Sequence, residues 1–109
     1  MIAENIVKMP EFSCDEGFCV DSDKLVVMQT ANFERLYERF WPVKSIIIEK
    51  ISENKTKCVL GNYPNCEIFE IFNKNEGIPA SSFIALCRKE KYENYVINKC
   101  EIGRVLITY

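Results

Sequence analysis

Residues 31–51, with the sequence ANFERLYERFWPVKSIIIEKI, decide the expected fold class. In the first half of this stretch, large apolar residues recur at spacings of three and four, which places them on one face of a helix. We assign to that face, as core residues, Phe33, Leu36, Tyr37, Phe40 and Trp41. Pro42 ends the pattern, because the residue before a proline disfavours helical geometry. The spacing therefore predicts an amphipathic helix over residues 31–41.

The second half of the stretch favours a strand, because Ile46, Ile47 and Ile48 are consecutive β-branched residues. Turn residues separate further runs of strand type along the chain. These runs cover residues 24–29, 57–60, 66–73, 94–100 and 104–109, and residues 11–20 indicate a small hairpin that turns near Gly17.

Residues 81–92 fit two structures. Ser81 or Ser82 is a suitable cap for a helix, whereas the apolar residues that follow fit a strand, which we slightly prefer. The predicted fold class is α+β: a long helix over 31–41, with a second over 81–92 if that segment is helical, packed on an antiparallel sheet of about five or six strands.

Length and composition fit one folded domain. The chain has 109 residues, of which 48% are hydrophobic and 28% are charged. A disordered chain has too little apolar surface to offset its conformational entropy. We expect residues 1–109 to form one compact domain, with residues 1–10 loosely ordered.

The absence of histidine limits the possible chemistry. Without an imidazole there is no Ser-His or Cys-His nucleophile, no histidine metal ligand and no histidine pH switch. Glycine-rich phosphate loops and calcium-loop spacings are also absent from the sequence. We therefore expect a protein that is not an enzyme and that has no cofactor.

The six cysteines have no standard metal-binding spacing. Zinc knuckles place two to four residues between paired cysteines, and only Cys14 and Cys19, with four residues between them, lie at the edge of that range. They are a weak candidate metal pair, and they are also a candidate disulfide if the hairpin turns on residues 16–17. Most of the cysteines, above all Cys58, Cys66 and Cys87, which lie in apolar runs, fit better as small buried hydrophobic residues with reduced thiols.

Charge is distributed unevenly along a chain whose net charge is −2. Residues 1–30 contain six acidic and two basic residues. This end suits a basic protein partner, through the candidate contacts Glu11, Asp15, Glu16, Asp21 and Asp23. Residues 88–95 combine basic and aromatic side chains, a pattern that suits single-stranded nucleic acid. The candidates there are Arg88, Lys89, Lys91, Tyr92 and Tyr95.

Together these features predict a non-catalytic protein-binding or regulatory module. A virus- or phage-encoded inhibitor of a host factor is its concrete form, since the chain is small and its residues favour AT-rich codons. A single-strand nucleic-acid binder is the alternative, although the acidic net charge argues against it. A cysteine-based metal or redox protein is the second alternative. We expect no membrane span and no signal peptide, and therefore a cytoplasmic protein with reduced thiols.

Overall fold

The computed structural model describes residues 12–14, 19–29, 43–74 and 77–108. In chain order the elements are strand β1 (Val20–Asp21), helix α1 (Ser22–Met28) and strands β2 (Ser45–Lys50), β3 (Ile68–Asn73), β4 (Ala80–Tyr92) and β5 (Tyr95–Thr108). The strands form one sheet in the order β1-β4-β5-β2-β3. Neighbouring strands are antiparallel except β1, which runs parallel to β4.

The predicted α+β class with a long helix is wrong. The described residues are mostly strand, with one helix of seven residues, and the sheet is mixed rather than antiparallel. Residues 81–92 are not helical, because they lie in β4 and pair along their whole length with β5. The predicted helix over 31–41 lies outside the described residues, as do residues 1–10 and the proposed core residues Phe33, Leu36, Tyr37, Phe40 and Trp41.

Helix α1 replaces the strand expected over residues 24–29. Asp21 caps the helix by accepting a hydrogen bond from the backbone N–H of Asp23 at 2.9 Å. Ser22, Leu25 and Val26 are the buried residues of the helix, a spacing of three and four. The cap and this helical periodicity outweigh the strand preference of the two adjacent valines.

The long β4–β5 hairpin also differs from expectation. A turn was predicted at residues 101–103, but β5 continues without interruption from Tyr95 to Thr108. The strand expected over residues 57–60 is reduced to a single parallel bridge between Lys57 and Ile68. Strand β2 instead pairs with β5 on one side and with β3 on the other, so its partners lie far away in the sequence.

The core lies on one face of the sheet. Ile46 is opposite Ile107, and Ile48 is opposite Val105, and all four are fully buried. Phe12 and Leu25 pack over this face from outside the sheet and are also fully buried. Burying both sets of side chains removes apolar area from water, which stabilises the fold by about 25 cal/mol per Å² of buried area. On the opposite face, Cys87 of β4 packs with Cys14 and Cys19, whereas Phe83 of β4 and Ile102 of β5 are exposed. The part of this face around Phe83 and Ile102 is therefore the candidate surface.

Candidate functional site

The distal part of the β4–β5 hairpin, residues 88–101, projects beyond the core, and we call it the arm. A disulfide between Cys87 and Cys100, which lie directly opposite each other, closes its base. On one side β1 ends at Asp21, opposite Cys87; on the other, pairing with β2 ends at Gly103. Within the described residues, the arm is therefore a two-stranded ribbon without a third strand.

Beyond Gly103, no described strand pairs with the outer edge of β5 in the arm. The carbonyl of Ile102 accepts a hydrogen bond from the N–H of Ile51 at 3.3 Å, on the side away from β4. Because backbone groups of an antiparallel strand alternate between its two edges, Val96 and Cys100 direct theirs to that same side. No described residue bonds the backbone of Val96 or Cys100 there.

The outer edge of β4 is occupied near its base. The backbone N–H of Lys89 donates to Asp23 Oδ2 at 3.1 Å. The hydroxyl of Ser22 donates to the carbonyl of Cys87 at 3.1 Å. These two bonds fasten the start of helix α1 to the base of the arm, so the two edges of the arm differ in accessibility.

Tyr63 reinforces this attachment from the loop before β3. Its hydroxyl donates to Asp23 Oδ1 at 2.5 Å and lies 3.0 Å from Ser22 Oγ. Its ring meets Phe69 of the core edge to face, with centroids 6.1 Å apart. Burial, followed by the hydrogen bond to the Asp23 carboxylate, raises the pKa of Tyr63 far above its usual value of 10. The folded protein therefore favours the neutral form of the Tyr63 hydroxyl.

Apolar side chains are concentrated on the β4–β5 hairpin. Of the exposed large apolar residues in the described chain, those on this hairpin are Phe83, Tyr92, Tyr95, Val96, Ile97 and Ile102. Phe83 and Ile102 are 73% and 67% exposed, and the register makes them diagonal neighbours on the face opposite the core. With Ala85, which lies opposite Ile102, they form an apolar patch that we call the open face. Such patches mark interaction sites more often than isolated exposed residues do.

The basic and aromatic candidates do not form one surface. Alternation along β4 places Arg88 and Tyr92 on one face and Lys89 and Lys91 on the other. Tyr92 and Tyr95 stack on each other, with ring centroids 5.9 Å apart. The split arrangement lacks the continuous basic track that a single strand of nucleic acid requires.

Glu90 reduces the positive charge on one of these faces. Its Oε2 lies 3.4 Å from the Arg88 guanidinium and 3.8 Å from the Lys99 ammonium. Arg88 is held by this contact, and its side chain is only 17% exposed. The best phosphate-binding side chain of the predicted set is therefore already engaged.

The acidic candidates have structural roles where they are described. Asp21 caps helix α1, and burial raises its pKa although the backbone bond from Asp23 opposes that rise. Asp23 accepts bonds from Tyr63 and from Lys89, as described above. Glu11, Asp15 and Glu16 lie outside the described residues. Two of the five proposed protein contacts thus serve the fold itself.

The expectation of reduced thiols is wrong. All six cysteines form disulfides, which join Cys14 to Cys19, Cys58 to Cys66 and Cys87 to Cys100. Cys14 and Cys19 therefore offer no thiolate pair to a metal ion. No group of three or more potential metal ligands occurs among the described residues. The burial expected for Cys58, Cys66 and Cys87 is correct, but a disulfide partner accompanies each of them.

The hairpin flanks explain the first disulfide. Ser13 bridges Val20, and the N–H of Cys14 donates to the carbonyl of Cys19 at 2.9 Å. This register places the two cysteines directly opposite each other, as expected for a turn at residues 16–17. Residues 15–18 lie outside the described residues.

The exposed residues Phe83, Val96, Ile97 and Ile102 were not among the predicted site residues. A sequence signal existed for two of them, since Val96 and Ile97 are adjacent and no alternating strand can bury both on one face. Phe83 and Ile102 gave no signal, because their exposure depends on which face the core covers.

No protein-family model, curated protein or solved structure matches this chain. No helix in the described ranges has the length and apolar character needed to cross a membrane.

Proposed function

We propose that this protein is a non-catalytic protein-binding module that contacts its partner through the arm and the open face. The observation that carries this proposal is the concentration of exposed large apolar side chains on a single hairpin. A few residues at the centre of an interface supply most of its binding free energy, and aromatic residues are enriched at interfaces. A rigid, disulfide-closed hairpin also loses little conformational entropy on binding.

The chemistry of the side chains supports a role without catalysis. The sequence contains no histidine, and each cysteine is in a disulfide, so neither imidazole nor thiolate is present as a base or nucleophile. The buried acid Glu49 is paired with Arg104, whose Nε donates to Glu49 Oε1 at 3.1 Å. In its specific form, our proposal is that this module is a regulatory protein, such as a viral or phage inhibitor of a host factor.

The three disulfides lead us to propose a different compartment for this protein. Disulfides persist in oxidising surroundings and are uncommon in the cytoplasm, where thiols are kept reduced. We therefore propose that this protein acts in an oxidising compartment, outside the cell or on a virion, in place of the cytoplasmic site inferred from composition.

Paired substitutions test the proposed surface. The double variant Phe83→Lys with Ile102→Lys removes the apolar side chains of the open face, whereas Val59→Lys with Leu60→Lys alters a similarly exposed apolar pair in a loop. We expect the first variant to lose at least about tenfold in capture of a partner from the surface or secreted proteins of the host, as removal of interface anchors does. The loop variant should bind like the wild type. Equal capture by both variants would rule out the open face.

A further inference from the structure

We propose that two of the three disulfides, Cys87–Cys100 and Cys14–Cys19, form a thiol–disulfide relay whose substrate is an external dithiol. The dithiol attacks Cys100 and releases the thiolate of Cys87. This thiolate then attacks Cys19 and displaces the thiolate of Cys14. The inference goes beyond the proposed function, because it concerns the chemistry of the cysteines and not the apolar surface of the open face.

The two disulfides pack against each other at the base of the arm. Cys14, Cys19 and Cys87 form one buried cluster, separate from the main core. Val20 lies opposite Leu86, and both side chains belong to the main core. Because side chains alternate along a strand, the residue before Val20 and the residue after Leu86 point to the other face of the sheet. Those residues are Cys19 and Cys87, so the sheet itself brings the two disulfides together.

The strand order makes Cys19 the sulfur that Cys87 attacks. Asp21 of β1 lies opposite Cys87 of β4, and its N–H donates to the carbonyl of Phe12 at 2.7 Å. Strand β1 therefore lies between β4 and the hairpin flank that contains Phe12 and Cys14. Cys19 directly precedes β1, whereas Cys14 is one strand further from β4. The exchange thus forms a Cys19–Cys87 disulfide and leaves a free thiol at Cys14.

Burial decides the direction of the relay. Cys100 is exposed, whereas Cys87, Cys14 and Cys19 are buried, so an external thiolate reaches Cys100 first. When it attacks that sulfur, Cys87 is the leaving group. A thiolate is poorly solvated at the buried position of Cys87, which raises its pKa and with it the nucleophilicity of the sulfur. Cys87 therefore forms a new disulfide with the sulfur packed beside it.

Atoms and electrons balance in the exchange. First, an external sulfur bonds to Cys100 Sγ, and the Cys87–Cys100 bond breaks with its electron pair on Cys87 Sγ. Next, Cys87 Sγ bonds to Cys19 Sγ, and the old disulfide of Cys19 breaks with its electron pair on Cys14 Sγ. The second sulfur of the dithiol then displaces Cys100 and closes a disulfide within the reductant. The two electrons and two protons of the dithiol end on Cys14 and Cys100.

The exchange changes which strands are covalently joined. Before it, a disulfide between Cys87 and Cys100 closes the base of the arm, between β4 and β5. Afterwards β4 is joined to β1, and β5 is released from its covalent link. The bond from the Ser22 hydroxyl to the carbonyl of Cys87 already fastens β4 to the start of helix α1. The relay therefore moves the covalent closure of the arm from β5 to β1.

Two serine variants that break the same disulfide test the relay without any reductant. Cys100→Ser leaves a free thiol at Cys87, inside the cluster, whereas Cys87→Ser leaves a free thiol at Cys100, outside it. Both are incubated at about pH 8, which supplies thiolate, and are then digested in acid without reduction for peptide mass mapping. Links from Cys87 to Cys19 should be at least about tenfold more abundant than links from Cys100 to Cys19, because a thiol held in contact reacts at a far higher effective concentration.

Partial reduction of the wild type gives a test that does not depend on the folding of a variant. A limiting amount of dithiol should produce Cys19–Cys87 links together with free thiols at Cys14 and Cys100. Dithiothreitol and reduced thioredoxin, in separate arms, distinguish a small dithiol from a protein dithiol as the source of electrons. Exchange with either reductant supports the relay.

Two results overturn the relay. One is an unchanged Cys14–Cys19 disulfide both in Cys100→Ser and in the partly reduced wild type. The other is the linking of Cys87 to Cys58 or Cys66 in amounts similar to its links with Cys19. Cys58 and Cys66 lie in the main core, so only exchange through the unfolded chain would join them to Cys87. Neither result depends on capture of a partner by the open face, so this inference and the proposed function fail separately.

Discussion

Gly103 of β5 lies between Ile84 of β4 and Lys50 of β2. A Cβ atom at this position would overlap the Leu86 side chain and lie 2.8 Å from the carbonyl oxygen of Glu49. The absence of a Cβ atom at Gly103 therefore leaves room for the Leu86 side chain and the Glu49 carbonyl to pack against β5. The sequence suggests a turn at this glycine, but its role is a close approach within a strand.

Replacing Gly103 with alanine should destabilise the protein by about 1–3 kcal/mol, the usual cost of forcing a methyl group into a packed site. Gly61→Ala is the matched control, since no heavy atom lies within 4 Å of the position that its methyl group would occupy. That variant should stay within about 1 kcal/mol of the wild type. Urea unfolding measures both. Similar losses for the two variants would contradict the role assigned to Gly103.

At the scale of elements, one hydroxyl connects helix α1, the loop before β3 and the base of the arm. Tyr63 reaches Asp23 and Ser22 of the helix, and the same two residues bond the backbone of β4 at Lys89 and Cys87. A seven-residue helix has little stability of its own, so these tertiary contacts hold it in place. The arm is oriented by the same contacts.

Tyr63→Phe should cost about 1–3 kcal/mol at neutral pH, since it removes a hydrogen bond to a carboxylate. The pKa of the folded-state hydroxyl is raised, so its contribution is complete below its usual value of 10 and is lost as the pH rises through the folded value. The difference in unfolding free energy between wild type and variant should therefore shrink above about pH 10. Chemical unfolding at a series of pH values measures it. A difference that stays constant into strong alkali would contradict the raised pKa of the Tyr63 hydroxyl.

At the scale of the whole molecule, the three disulfides cross-link three separate parts of the fold. Cys14–Cys19 joins the flanks of the first hairpin, Cys58–Cys66 closes the loop beside β3, and Cys87–Cys100 closes the arm. Each short closed loop contributes about 2–4 kcal/mol by restricting the unfolded chain. Together they are comparable to the whole stability of a small domain, about 5–15 kcal/mol. The fully reduced chain should therefore unfold.

Partial reduction should open the disulfides in a defined order. Cys100 is exposed, whereas Cys58 and Cys66 are only 2% and 0% exposed, and thiolate attack requires access to a sulfur atom. Cys87–Cys100 should be reduced first and Cys58–Cys66 last under mild reductant without denaturant. Alkylation followed by peptide mass mapping gives the order. Early loss of Cys58–Cys66 would indicate that the core opens before the arm.

Part of the architecture could be predicted from local pattern. The β-branched run at 46–48 indicated β2, the run at 66–73 contained the whole of β3, and the turn residues near Gly17 indicated a hairpin over residues 11–20, of which the pairing of Ser13 with Val20 is described. Helix α1 was missed because two valines suggested a strand, although its cap at Asp21 was present in the sequence. The pairing of 81–92 with 95–108 was also missed in part, since local propensity did not separate helix from strand there.

The sequence by itself determined a small domain without histidine chemistry, and with six cysteines of which only Cys14 and Cys19 have a spacing near that of a zinc knuckle. Only the tertiary structure decided that these cysteines form three disulfides, because pairing depends on which Cα atoms the sheet brings together. It also decided which face of β4 and β5 stays exposed. A strand offers both of its faces equally, and the core covers one of them only after distant segments have packed.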